Sequence, residues 1–292
     1  MTNLNSSSYL GGGSEKLTEV VYKPTTIQKL LGRNYKWWYT STQGFKSNTT
    51  YRYNSVSWLL SSFVSIAGTL VVWYISFFQN GSLNVIGFKE IFTYLIIGEA
   101  CIFSSAIQYD IGEDILKGDL TTKILLPTDY LLRYFFYQFG YQLFENLSKA
   151  FLYLIIGLVF NKYLISTSIS NIMFFAFICI IAYFINVLIG IIIGATAFWL
   201  TAFFGSAALF DNLKMVLGGR LFPLNKLQIL LPLVYTPFAF TFYHPMQIYL
   251  GKYSPLETFC VFLGGIAWCI VLYFLAKWVF KMGLKRNEAI GL

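Results

Sequence analysis

Charge is the scarcest commodity in this sequence. Asp, Glu, Lys and Arg make up 12% of its 292 residues, against 57% hydrophobic and 20% aromatic. A soluble domain carries about 25% charged residues, so an ordinary water-soluble globule is excluded. Histidine occurs once, at His244. With no second ligand or carboxylate beside it and no DDxxD-type cluster in the apolar runs, a membrane-embedded enzyme with a magnesium cage or a His/Asp base is the least favoured class, and no catalytic residue is assigned. The four cysteines, Cys101, Cys179, Cys260 and Cys269, sit inside apolar runs without CxxC spacing. They read as helix-packing residues rather than metal ligands or a disulfide framework. A GxxxxGK[ST] loop is missing too: GGGSEK near the start lacks its spacing, so the chain is not expected to hydrolyse ATP by itself. Residues 1–22, MTNLNSSSYLGGGSEKLTEVVY, hold no apolar core of a signal peptide and read as a disordered polar tail.

What the chain has instead is long apolar runs. Candidate spans fall near 56–78, 88–107, 138–160, 171–192, 196–218 and 256–280, each suited to a hydrocarbon core about 30 Å thick. From Asn171 to Phe210 there is no charge at all, which reads as a hairpin of two spans. The fold class expected is all-α integral membrane with six transmembrane helices; continuous runs do not suit a β-barrel. Lys and Arg distribute unevenly between the two sides of such a bundle. Fourteen fall before the first span, in the loop after the second and in the tail, and five on the other side. This predicts a multi-pass protein of the cell membrane with both termini cytoplasmic. The net charge of +8 follows from that topology, and no nucleic-acid partner is expected.

Residues 23–55 precede the first span. In TTIQKLLGRNYKWWY, Ile27, Leu30, Leu31 and Trp38 share one helical face while Lys29, Arg33 and Lys36 lie elsewhere. That pattern predicts a cytoplasmic interfacial helix against membrane lipid, with Trp37-Trp38-Tyr39 at headgroup depth.

One polar interval interrupts the apolar runs. Asp110, Glu113, Asp114, Lys117, Asp119, Lys123 and Asp129 crowd into and beside IGEDILKGDLTTKILLPTDY, residues 111–130. Gly118 can cap a short helix over 110–117, Asp119 can start a second piece in LTTKILL, and Pro127 ends it before Thr128 or Asp129 starts the next helix. The expectation is a compact knob over 108–130, its acidic residues facing water and Ile115, Leu116, Leu120 and Ile124 supplying apolar contact. A second irregular stretch, 219–251, holds four of the seven prolines, Pro223, Pro232, Pro237 and Pro245, yet is highly apolar. A re-entrant pair of short helices on the outer face satisfies both features. His244 lies here and reads mainly as an interface hydrogen-bonding residue.

Charges inside spans are expensive and face the bundle interior. Glu99, in LIIGEACIF, is the leading candidate; it contacts substrate or couples helices, or else is neutral and bonds to Ser104, Ser105 or another helix. Glu145 with Lys149 and Asp211 with Lys214 are spaced to pair on their own helices. Gly190, Gly194, Ala195 and Ala197 let the fourth and fifth spans approach each other closely.

Four motifs occur in an order that resembles a known family. ILKGDLTTKILLP resembles the I-x-x-G-x-[LI]-x-x-x-L-L-x-P segment of ABC-2 type exporter permeases. YRYN (51–54), GGRLFPLNKLQILLPLVYTPFAFTFYHPMQIYLG (218–251) and GLKRNEAIG (283–291) resemble three further stretches of the six-span group of that family, with Asn287 where the family often has Tyr. The resemblance runs from about residue 24 to the end of the chain. It implies a type V exporter-like permease domain over 56–292, paired with a second permease copy or a sister permease and with a separate ABC ATPase subunit that uses the ATP and magnesium; this chain would bind no cofactor or metal. It also implies that the 108–130 segment is the ATPase-coupling element, carried by Asp110, Glu113, Asp114, Ile115, Lys117, Gly118, Asp119 and Leu120. Candidates for the translocation pathway are Glu99, Phe222, Pro223, Pro237 and His244. A secondary transporter or channel not driven by ATP is the competing class. It predicts matched broken helices in two halves, whereas only one broken region is visible.

Overall fold

The computed structural model describes residues 34–290 apart from 51, 80, 81, 84, 104 and 227. The expected polar tail and Ile27, Leu30 and Leu31 of the expected interfacial helix lie outside the described residues. The architecture below is that of the compact unit Trp37–Leu292.

Ten α-helices are described: α1 (Tyr35–Thr50), α2 (Arg52–Phe77), α3 (Val85–Cys101), α4 (Ile107–Lys117), α5 (Leu120–Ile124), α6 (Tyr130–Val159), α7 (Ile169–Ala195), α8 (Phe203–Leu217), α9 (Tyr243–Tyr249) and α10 (Pro255–Ile290). A two-residue antiparallel pair, β1 (Phe78–Gln79) with β2 (Ser82–Leu83), makes the turn between α2 and α3. Among the described residues four stretches are long and apolar enough to cross a membrane: Leu59–Phe77, Tyr130–Val159, Ile169–Phe198 and Pro255–Arg286. Their outer faces carry exposed Val64, Val72, Phe151, Ile180 and Phe274, a continuous apolar surface that only lipid or another apolar partner can cover.

The other two expected spans are shorter than their apolar runs. α3 has 17 residues and α8 has 15, about 25 and 22 Å at 1.5 Å per residue. The 88–107 run breaks after Cys101, because the chain turns into α4 instead of continuing. The 196–218 run breaks at 199–202 between a 3-10 turn, Thr196–Phe198, and α8. α6, by contrast, begins at Tyr130, eight residues before the expected start at 138.

α3 and α7 are the buried centre. Ile91, Tyr94, Leu95 and Ile96 of α3 are all at most 2% exposed, as befits a helix apolar on every side. α1 lies along α6, where Gly44 and Gly140 remove both side chains from the contact. A Cβ on Gly140 would stand 1.8 Å from the Ser41 carbonyl, and one on Gly44 would stand 2.0 Å from that of Tyr137. Ser41 Oγ and Asn48 Nδ2 donate to the Phe136 and Tyr141 carbonyls at 2.9 and 3.0 Å. Trp37 stacks on Phe136, while Trp38 is half exposed.

Residues 219–251 form the broken stretch expected from the prolines. Three 3-10 turns, Leu224–Lys226, Gln228–Tyr235 and Pro237–Thr241, lead into α9. The stretch is pinned to α2 and α3. Tyr94 Oη donates to the Gly219 carbonyl at 2.6 Å, Trp73 Nε1 donates to that of Leu221 at 3.3 Å, and Lys226 and Lys252 approach Glu90 at 3.9 and 3.3 Å. Gly219 takes φ 77° at this dock, a conformation that suits glycine.

Candidate coupling helix and transmembrane cavity

The polar interval folds as a knob on α4, α5 and the start of α6. Gly118 adopts φ 79° and its N–H closes on the Ile115 carbonyl, ending α4 in a left-handed cap. The Asp129 carboxylate accepts from the Leu132 N–H at 2.8 Å and starts α6, as an N-cap should. Asp119 does not act as the cap expected of it: it is already helical and makes no side-chain cap bond.

The acidic residues do not all face water. Glu113 is exposed and pairs with Lys117, but Asp114 is only 3% exposed. Its carboxylate accepts from Tyr130 Oη at 2.9 Å, Tyr134 Oη at 2.6 Å and Lys123 Nζ at 2.5 Å. Asp114 is therefore the hub that fastens α5 and α6 to α4, since a buried carboxylate is held by its donors. Asp110 is partly buried and takes a bond from Gln138 Nε2. Loss of water, with Asp114 and Glu113 nearby, pushes its carboxyl up to about 6, against the opposing effects of Gln138 and Lys123. Leu120, expected at the contact face, is 1% exposed and Ile115 packs on the core. Burial follows because the α4–α5 turn folds both side chains beneath it. The exposed tip consists of Leu116, Lys117, Gly118, Asp119, Ile124, Leu125 and Leu126, with Leu125 at 84% exposure.

Behind the tip, α4 is clamped in the bundle. A Cβ on Gly190 would meet Ile107 Cγ2 at 2.5 Å, and one on Gly194 would meet Ile111 Cβ at 2.9 Å. The small residues of α7 thus admit α4, not the following span as expected from spacing alone. Gly112 of α4 in turn receives the ring of Phe203 from α8. Ile107, Ile111 and Phe203 are all 0% exposed. At its first turn α4 reaches Asp211 of α8: Gln108 Nε2 donates to both carboxylate oxygens at 2.9 Å, and Tyr109 Oη donates to one at 2.8 Å.

Asp211 lines a cavity of about 810 Å³ bordered by α2, α3, α4, α6, α7 and α8. Among the described residues six charged side chains line it, three of each sign, and they form three ion pairs. Glu145 and Lys149 lie 2.6 Å apart on α6, and Asp211 and Lys214 lie 3.2 Å apart on α8, the pairs expected from their spacing. The third is long-range. Glu99 of α3, 6% exposed, takes both arms of the Arg220 guanidinium, with Nη2 to Oε2 at 2.6 Å. Ser105, expected as a partner of Glu99, instead accepts weakly from the Ile107 N–H at 3.4 Å; Ser104 lies outside the described residues. Nothing in the local sequence announces Arg220, which lies 121 positions away.

Of the pathway candidates, Glu99 lines the cavity; Phe222, Pro223, Pro237 and His244 do not. Pro223 is buried, and Phe222 and Pro237 are half-buried, within the 219–251 stretch. His244 is 5% exposed; Nε2 donates to the Val234 carbonyl and Nδ1 accepts from Tyr253 Oη, each at 2.9 Å. Both ring nitrogens are used in joining the segment to itself.

A multi-pass helical bundle with a charged cavity at its centre and a polar knob built onto one of the cavity's walls is the architecture of a transmembrane permease. The family described as ABC-2 family transporter protein matches residues 63–291, and the chain belongs to that family. Membership makes it the membrane-embedded part of an ABC transporter system, which has an ATPase partner. Neither a curated protein nor a solved structure matches the chain.

Proposed function

We propose that this chain is the pathway-forming permease of an ABC-2 exporter, and that a separate ATPase drives it through the 108–130 knob. The observation that carries this reading is the placement of α4. Its C-terminal end presents the exposed tip at Leu116–Asp119, while its N-terminal end holds Asp211 in the cavity wall. At 11 residues the helix is about 16 Å long, and its glycine contacts with α7 and α8 leave little slack. Displacement at the tip therefore moves the cavity wall as a rigid lever.

The exposed Leu116, Ile124, Leu125 and Leu126, flanked by Glu113, Lys117 and Asp119, form a mixed apolar and charged face for a cytoplasmic cleft. In this reading the N- and C-terminal regions and the knob are cytoplasmic, α3 and α8 are short spans that complete six, and residues 219–251 re-enter from the outer face. Two permease chains, identical or sister, enclose the path with two ATPase subunits, which supply ATP and magnesium chemistry. The chain itself catalyses nothing.

The test is purification from native membranes in mild detergent, with ATP hydrolysis in the purified fraction as readout. Leu125→Asp with Leu126→Asp alters only exposed positions. It is expected to strip the ATPase while leaving the thermal unfolding of the permease unchanged. ATPase retained in full by that variant refutes the coupling role. Ion-gradient-driven flux by the isolated chain in liposomes supports a secondary transporter instead.

A further inference from the structure

Two voids of nearly equal size lie on opposite sides of the seam between α2 and α6. One is the charged cavity of about 810 Å³; the other is a groove of about 800 Å³ lined by Phe45, Leu60, Phe63, Leu147, Phe151 and their apolar neighbours. The single polar side chain among the described residues of the groove, Ser148, donates to the Phe144 carbonyl at 2.9 Å. Adjacent residues on the same two helices serve the two sides. On α2, Leu60 and Phe63 line the groove while Ser61, Ser62 and Ser65 line the cavity. On α6, Leu147 and Phe151 line the groove while Glu145 and Lys149 line the cavity. Across the described part of the seam, Ser62 Oγ and Tyr153 Oη share one hydrogen bond of 2.8 Å.

The charged lining constrains what can enter. Its three acids and three bases sum to zero, and each is already paired. A lone cation or anion brought in finds every opposite charge already paired, so one charge in or on the cavity is left without a partner. A zwitterion leaves none unpaired. Its ammonium can take a carboxylate while its anionic group takes the released Lys or Arg, so every charge keeps a partner. Ser61, Ser62, Ser65 and Thr69 offer hydroxyls to the rest of such a head.

We propose that the cavity and groove together bind an amphipathic zwitterion. A head bearing one ammonium and one phosphate or carboxylate occupies the cavity, and an apolar chain reaches the groove by parting the α2–α6 seam at the Ser62–Tyr153 hydrogen bond. This rests on the permease reading and specifies its cargo. A lipid and an acylated amino acid share this chemistry.

Isothermal titration of the full chain, held in amphipol and free of detergent, tests it with chain-matched probes. Lauroyl lysophosphatidylethanolamine and Nε-lauroyl-lysine supply zwitterionic heads with phosphate and carboxylate respectively. Lauroyl lysophosphatidylglycerol, dodecyltrimethylammonium and chain-free glycerophosphoethanolamine supply the anion, the cation and the bare head. At least one of the two zwitterions is expected to bind at least about tenfold more tightly than any of those three, and the tighter of the two identifies the source. Asp211→Asn with Lys214→Gln keeps the cavity neutral and is expected to erase most of the zwitterion preference. Phe151→Gln, at a position 70% exposed, leaves the fold intact and should weaken only probes that carry a chain. Equal affinity for all heads, tightest binding of a singly charged probe, or zwitterion binding untouched by Phe151→Gln overturns the proposal. If ATPase still co-purifies with the chain in that event, the permease reading stands and only the cargo class falls.

Discussion

The Glu99–Arg220 pair offers the sharpest test of the cavity, because its two members sit in different surroundings. Glu99 is 5% exposed in its side chain and Arg220 is 36% exposed. Replacing Arg220 with Met strands a carboxylate in the bundle with no cation to face it, at a cost of about 3–5 kcal/mol. Glu99→Gln is milder. Arg220 keeps an acceptor in the new amide and has cavity-side exposure for hydration, so the loss is about 1–2 kcal/mol, the range for one charged hydrogen bond. The double variant, Glu99→Gln with Arg220→Met, removes both buried charges and should cost only about 1 kcal/mol, since a buried pair and an apolar replacement are nearly equivalent. The two single costs therefore overshoot the double by about 3 kcal/mol or more, a coupling measurable in a double-mutant cycle. Equilibrium unfolding of the four proteins in mixed micelles reads it directly. Equal damage from the two single substitutions, or a double variant as weak as their sum, refutes the pairing and with it the closed charge balance of the cavity.

Four further outcomes follow from single positions. Gly140→Ala places a Cβ 1.8 Å from the Ser41 carbonyl, against backbone that cannot yield; it should destabilise by about 1–3 kcal/mol and open α1 to limited proteolysis. Gly118→Ala meets no atom within 4 Å at φ 79°, so its cost is purely that of the left-handed backbone, about 1–2 kcal/mol, read as a lower unfolding midpoint. Asp110 holds its proton up to about pH 6 when folded, against an ordinary value of 3.8, so the folded state binds the extra proton between those values and stability from this group falls as pH rises through that window. Asp110→Asn should accordingly gain at most about 3 kcal/mol at pH 8, at 1.36 kcal/mol per unit, and show no gain below pH 3.8; a constant difference across pH refutes the burial argument. Asp129→Ala removes the N-cap of α6 and should cost about 1 kcal/mol, with hydrogen exchange accelerated at the Leu132 N–H.

Much of this was legible in order along the chain. The apolar runs announce a membrane bundle because hydrocarbon leaves the backbone no other solution than helix. Gly118 and Asp129 announce their caps because capping is local, depending on a residue's own conformation and its next three neighbours. The Glu145–Lys149 and Asp211–Lys214 pairs are legible for the same reason, since helical spacing alone brings them together. The misreadings are non-local. Asp114 looks solvated beside Glu113 until Tyr130 and Tyr134, 16 and 20 residues on, fold over it. Gly190 and Gly194 look like a contact for the next helix until α4, some 80 residues earlier in the chain, proves to occupy that face. The 88–107 run looks like one span because hydropathy does not register where a helix turns.

Composition and periodicity alone thus determined the class of molecule, the number of apolar runs and the presence of a polar knob between two of them. Tertiary structure alone decided that three ion pairs share one cavity, that Arg220 closes on Glu99, and that one short helix joins that cavity to the exposed tip. The physical reason is range. The hydropathy of a run and its helix caps are set by neighbours in sequence, whereas a buried charge takes its partner from whichever helix the packing brings within about 3 Å.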